Sequence, residues 1–270
     1  VRMRRIRTLT AMCVLALAAV LAVGVSPAAA KPVPTVVLVH GAFADTTSWD
    51  PVAAELRGRG YNVVVPSNPL RGPAYDSAAI EKTLADIPGP VLLVGHSYGG
   101  VVITNTHSPN VVGMVYVSGF IPAQGEPAMA ALNPLTFPGS QLVPPVLQVK
   151  VVDDTTNPIG KNIDGYIDPS RFHEAFCQDV SDATAADMIA HQRSIALSAN
   201  LEPTRDPSWQ HLPTWAVIPG QDRVIPPASE RFMAERAGAQ ITDIPGASHA
   251  VLVSQPGQVS YAIERAAAAL

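Results

Sequence analysis

Ser97 stands in Gly95-His96-Ser97-Tyr98-Gly99-Gly100, directly after the apolar run Val91-Leu92-Leu93-Val94 and directly before Val101-Val102-Ile103. Glycines two residues to either side of a serine, between a strand and a helix, permit a turn tight enough to hold the hydroxyl exposed at strained backbone angles. That is the setting of a nucleophile; the plainer alternative is a glycine-rich turn. A serine hydroxyl needs a base to take its proton. Of the seven histidines, His40 and His96 belong to turns at strand ends, where they shape the turn or line a site, and His107, His173, His191 and His211 have no recognisable setting. His249 follows Ile244-Pro245-Gly246-Ala247-Ser248 on a loop between the last strand and the last helix, which makes it the candidate base. The imidazole in turn needs a carboxylate to fix its tautomer and stabilise its cation. Asp222, in Pro219-Gly220-Gln221-Asp222-Arg223 at the turn after the penultimate strand, is the first choice, and Glu126 a weaker one. Nucleophile, acid and histidine in that chain order describe acyl transfer through a serine ester.

Attack on a carbonyl also creates an oxyanion that needs fixed donors. Two backbone N–H groups are suitably placed. One is that of Tyr98, just after the serine at the helix start, and the other that of Ala42 in the turn His40-Gly41-Ala42-Phe43. Phe43, Trp49, Tyr98, Phe172 and Phe176 are candidates for an apolar pocket, each equally at home in a core.

The elements that must position these residues alternate. Val36–Val39, Asn62–Val65, Val91–Val94, Val112–Val117, Thr214–Ile218 and Gln240–Ile244 read as strands, the continuous β-branched runs being those expected of parallel strands buried on both faces. Helices are expected at Thr47–Arg59, Ser77–Asp86, Ala228–Ala237 and Pro256–Ala268. From Gly119 to His211 the rhythm breaks, with helices only at Pro169–Gln178 and Asp182–Ser198, and the stretch is too long for a plain loop. The expected fold is α/β, with about six mostly parallel strands flanked by helices and a helical lid inserted before the penultimate strand.

Of the 270 residues, 47% are hydrophobic and 15% charged, with a net charge of −4. Acidity of this kind disfavours nucleic acid as a partner. Arg2, Arg4, Arg5 and Arg7 precede an apolar run over Ala11–Val25 that ends in Ser26-Pro27-Ala28-Ala29-Ala30, the pattern of an export signal cleaved after Ala30 and too short to serve as a membrane anchor. The domain is expected over 31–270, on the outer side of a membrane. It would then hold one cysteine, Cys177, which has no partner for an intramolecular disulfide. No Cys-x-x-Cys or His-Glu-x-x-His motif suggests a metal.

Val39-His40-Gly41-Ala42-Phe43, Gly95-His96-Ser97-Tyr98-Gly99-Gly100, Gly220-Gln221-Asp222 and Ser248-His249 together resemble the α/β-hydrolase superfamily over essentially the whole chain beyond the signal. Thr46-Thr47-Ser48-Trp49 and the segment from Arg231 to Pro256 are similar, more narrowly, to small bacterial hydrolases akin to the plant methylesterase and hydroxynitrile-lyase group. The resemblance implies a Ser97, Asp222 and His249 triad with an oxyanion hole at Ala42 and Tyr98. It implies no cofactor. Hydroxynitrile lyases of this group carry a lysine directly after the histidine; Ala250 stands there, which argues against cyanohydrin cleavage. The expectation is an exported serine hydrolase, a carboxylesterase for small to medium apolar esters. Lactone or amide hydrolysis, or perhydrolysis, would use the same residues, and a non-catalytic ligand-binding role is the alternative of a different class.

Overall fold

A computed structural model describes residues 32–270, and the expected export signal lies outside the described residues. The chain runs β1 (Thr35–Val39), α1 (Asp50–Gly58), β2 (Val63–Val64), α2 (Pro73–Ala85), β3 (Val91–His96), α3 (Tyr98–Thr104) and β4 (Val111–Val117). An insertion follows, with β5 (Leu147–Asp153), β6 (Lys161–Ile167), α4 (Pro169–Phe176), α5 (Asp182–Ala190) and β7 (Ile195–Ala196). The chain then closes with β8 (Thr214–Pro219), α6 (Pro227–Arg236), β9 (Gln240–Ile244), α7 (Val251–Ser254) and α8 (Pro256–Ala269).

Six strands form one parallel sheet in the order β2-β1-β3-β4-β8-β9. Because successive side chains of a strand face opposite ways, β1 and β3 feed two cores. Val37, Val39 and Leu93 pack on one face with Ile80 of α2 and Ile103 of α3. Val36, Leu38, Leu92 and Val94 pack on the other with Leu56 of α1 and Ile263 of α8. Every residue of β3 and β8 is buried, which is why these segments read as unbroken apolar runs.

The first helix is shorter than the pattern suggests. Thr46–Trp49 is a separate 3-10 turn capped by the Asp45 carboxylate, which accepts from the Thr47 N–H, and α1 starts only at Asp50. The second starts earlier, at Pro73, where the proline occupies a first-turn position that needs no N–H.

The lid is not purely helical. It carries the two expected helices and also a three-stranded antiparallel sheet, β5-β6-β7. The sequence pattern carries the second lid helix to Ser198, but the helix ends at Ala190. Its continuation is drawn into the small sheet, where the Gln192 amide accepts from the Ile167 N–H at 2.7 Å and donates to the Ile167 carbonyl at 3.1 Å. Arg71 ties this sheet to the main body: its guanidinium donates to Asp164 and Asp154 and to the Ser194 carbonyl.

Candidate active site

β3 ends in a turn that α3 enters at once, and Ser97 at the junction has φ 53° and ψ −122°, a region unfavourable for any side chain larger than hydrogen. Close packing holds it there. A Cβ on Gly99 would lie 2.4 Å from the Val39 carbonyl oxygen, so only glycine lets α3 approach β1 this closely. A Cβ on Gly41 would lie 2.7 Å from that of Ser97, which puts the His40-Gly41-Ala42 turn directly against the serine. Neither the Ala42 nor the Tyr98 N–H bonds to any other group among the described residues, whereas the next amide, Phe43, donates to the Arg193 carbonyl of the lid.

His40 shapes this turn. Its Nδ1 donates to the Gly41 carbonyl at 2.9 Å and its Nε2 accepts from the Asn68 N–H at 3.0 Å, a pairing open only to the neutral ring. Burial lowers its pKa to about 4. His96 is fully buried and pinned to the His249 carbonyl at 3.0 Å; desolvation holds it well below the usual histidine range. Tyr98 is anchored through its hydroxyl, which donates to Asp76 at 2.8 Å, and Asp76 also accepts from the Arg71 and Gly72 N–H groups.

The loops after β8 and β9 meet beside the serine turn. His249 Nδ1 donates to Asp222 Oδ2 at 2.6 Å, both side chains fully buried. Asp222 Oδ1 accepts from the Val224 and Ile225 N–H groups at 2.7 and 2.8 Å, so three donors hold the carboxylate. His249 Nε2 is buried with no partner among the described residues. The Ser97 hydroxyl is not bonded to it here, and such contacts commonly tighten only around a bound substrate. Glu126 is engaged elsewhere, on Arg236 at 2.7 Å and the Ala123 N–H.

A narrow apolar cavity opens over Ser97. Ala42, Phe43, Tyr98 and Val224 line its inner part, and the lid supplies Met129, Leu132, Leu142, Leu147, Ile195, Leu197 and Asn200. Phe43 thus sits where an apolar pocket residue is expected. Trp49, Phe172 and Phe176 do not line this cavity. Trp49 packs in the opposite core, edge-on to His96. Phe172 stacks on Phe176, and Phe176 meets the His249 ring edge-to-face at 4.8 Å, walling the histidine rather than the cavity. The aliphatic lid residues carry no periodic signal, so sequence alone does not single them out.

One neighbour of the pair gives no signal in the sequence. Carboxyl oxygens of Glu230 and Asp222 and a ring nitrogen of His249 all lie within 4.8 Å of one another, the only group of potential metal-ligating atoms this close among the described residues. The His249–Asp222 hydrogen bond occupies the space an ion would need between them.

A profile of the alpha/beta hydrolase family matches residues 36–261, and the chain belongs to that family. Among curated relatives it is 34% identical over 111 residues to a carbendazim hydrolyzing esterase of Nocardioides sp. (strain SG-4G), covering 36% of this chain and 46% of that protein. It is 30% identical over 116 residues to protein phosphatase methylesterase 1 of Bos taurus, covering 37% of this chain and 30% of that one. The chain thus spans less than half the length of these relatives. Among solved structures, polyneuridine aldehyde esterase superposes with a TM-score of 0.74 at 18% identity over 87% of this chain and 99% of that one. A pyrethroid hydrolase from Sphingobium faniae JZ-2 superposes with a TM-score of 0.73 at 22% identity, over 88% and 98%.

Proposed function

We propose that the protein is a serine carboxylesterase for small to medium apolar esters, with Ser97 as nucleophile, His249 as base and Asp222 as its partner. The observation that carries this reading is the buried Asp222–His249 hydrogen bond, which leaves Nε2 as the free nitrogen, beside a strained Ser97 at the floor of an apolar cavity. Relatives named as esterases or hydrolases support it.

In this reading Ser97 Oγ attacks the ester carbonyl carbon while His249 Nε2 takes the hydroxyl proton. The Ala42 and Tyr98 N–H groups receive the developing oxyanion. Collapse breaks the bond to the alcohol oxygen, which leaves with the proton from His249, and Ser97 stays acylated. Water then attacks the acyl carbon, giving its proton to His249, which returns it to Ser97 as the acid departs. Asp222 keeps Nδ1 protonated and stabilises the imidazolium in both halves.

The test is hydrolysis of a series of short to medium p-nitrophenyl esters beside a Ser97→Ala variant. Turnover is expected to fall at least about 10⁴-fold in the variant. Equal turnover in both proteins would overturn the assignment, and a preference for long-chain triglyceride emulsions would overturn the substrate class.

A further inference from the structure

Behind Asp222 lies the second carboxyl group. Glu230 is in the first turn of α6, where an acidic side chain ordinarily faces water and is favoured by the helix dipole. Here it turns inward and is 2% exposed. Its oxygens lie in the cluster with Asp222 and His249, and neither accepts a hydrogen bond from any group among the described residues.

Two buried carboxylates this close do not both stay ionised, because desolvation and mutual repulsion act on the same pair. One proton must be kept, and the donors decide where. Asp222 accepts from Val224, Ile225 and His249, all stabilising a charge on it. Glu230 has no such donor, so an ionised Glu230 would be an orphan; once protonated, it has Asp222 as an acceptor. Burial, and then the adjacent Asp222 charge, push Glu230 well above the usual carboxylate range, in the same sense.

We propose that Glu230 carries a proton and donates it in a hydrogen bond to Asp222, making it a positioning residue for the Asp222–His249 pair. The proposal rests on the assignment of Asp222 and His249 given above. A fourth donor on Asp222 fixes the rotation of its carboxyl group and so the direction of the bond to Nδ1. It also leaves Glu230 unable to compete as a second anion for the imidazolium. A glutamine at this position would do the same work, since its amide is a neutral donor of the same length.

The direct test is infrared spectroscopy of the wild-type protein at neutral pH in D₂O. A C=O stretch of a protonated carboxyl, above the region of ionised carboxylates, is expected in the wild type and is expected to vanish in Glu230→Gln. Its absence from the wild type, or its persistence in the variant, overturns the proposal. The kinetic arm compares two variants on a p-nitrophenyl ester. Glu230→Ala is expected to lower kcat about ten- to a hundredfold with little change in KM, and Glu230→Gln to recover most of that loss. Equal kcat in the two variants overturns the positioning role. If Glu230→Ala does not fold, the wild-type spectrum and the glutamine variant still decide. Full activity in Ser97→Ala would instead remove the catalytic assignment while leaving the infrared band in place, so the two failures are distinct.

Discussion

The two sheets of this molecule solve opposite problems. The parallel sheet buries Val91 through His96 completely, with helices on both faces and cores on both sides. The lid sheet leaves Val149, Val151 and Ile163 more than half exposed, and its strand β5 is an edge. The first draws its stability from buried apolar area. The second contributes only Ile167, Ile195 and Ala196 as buried residues to the core on one face of the parallel sheet, and is tied to the body by polar contacts as well: Arg71 on Asp154 and Asp164, the Phe43 N–H on the Arg193 carbonyl, and Ser140 and Gln141 on the backbone of Val224 and Arg223. Rigid placement of Ser97 thus comes from one region, while the lid shapes much of the cavity above it and braces the His249 loop through Phe176 and Asp179.

That division can be broken at its strong end first. Leu93→Ala, in β3 with no exposure, is expected to cost about 3 kcal/mol of global stability, read as a lower urea midpoint with one cooperative transition. A loss confined to the lid would refute the division.

Acid offers a second probe of the sheet region. The unfolded chain protonates His40 near its ordinary value of 6.5, whereas the folded protein resists until about 4. Between those values the unfolded state binds more protons, so stability falls as pH drops through the window and levels off below it, by up to about 3 kcal/mol from this residue. Urea midpoints across that window are expected to fall less steeply in His40→Gln than in the wild type. Parallel slopes would show that the ring does not resist protonation.

The smallest of the three effects belongs to the lid. Arg71→Leu removes the charge-assisted hydrogen bonds to Asp154 and Asp164 and is expected to cost about 2 kcal/mol. Limited proteolysis would then cut first around Thr155–Gly160, leaving the parallel sheet intact. Uniform digestion of both regions would contradict the comparison.

The same contrast explains what the sequence makes readable. β3 and β8 are legible because strands buried on both faces appear as continuous apolar runs. Ser97 and Asp222 are legible because each follows such a strand, and His249 because it follows the last parallel strand, β9, a half-exposed edge strand; turns after parallel strands gather at one edge of the sheet. β5 is hidden because Val151-Val152 breaks its alternation and its partner β6 mixes Asp164 and Gly165 with apolar residues. Trp49, Phe172 and Phe176 have the right chemistry for a pocket, but their separation from the cavity is a tertiary fact that no local pattern encodes. Glu230 is illegible for a different reason: a glutamate in a first helical turn is unremarkable until Asp222 is found beneath it.

The lid leaves the parallel sheet at the end of β4 and returns to it at β8, and these two strands are direct neighbours. A segment whose entry and exit are adjacent is exchangeable: it can be lengthened, shortened or replaced without reordering a single strand of the frame. Such a change can redraw the cavity wall around Leu142, Leu147 and Leu197 while Ser97, Asp222 and His249 keep their places, so that the wall and the arrangement beneath it are free to vary as separate traits.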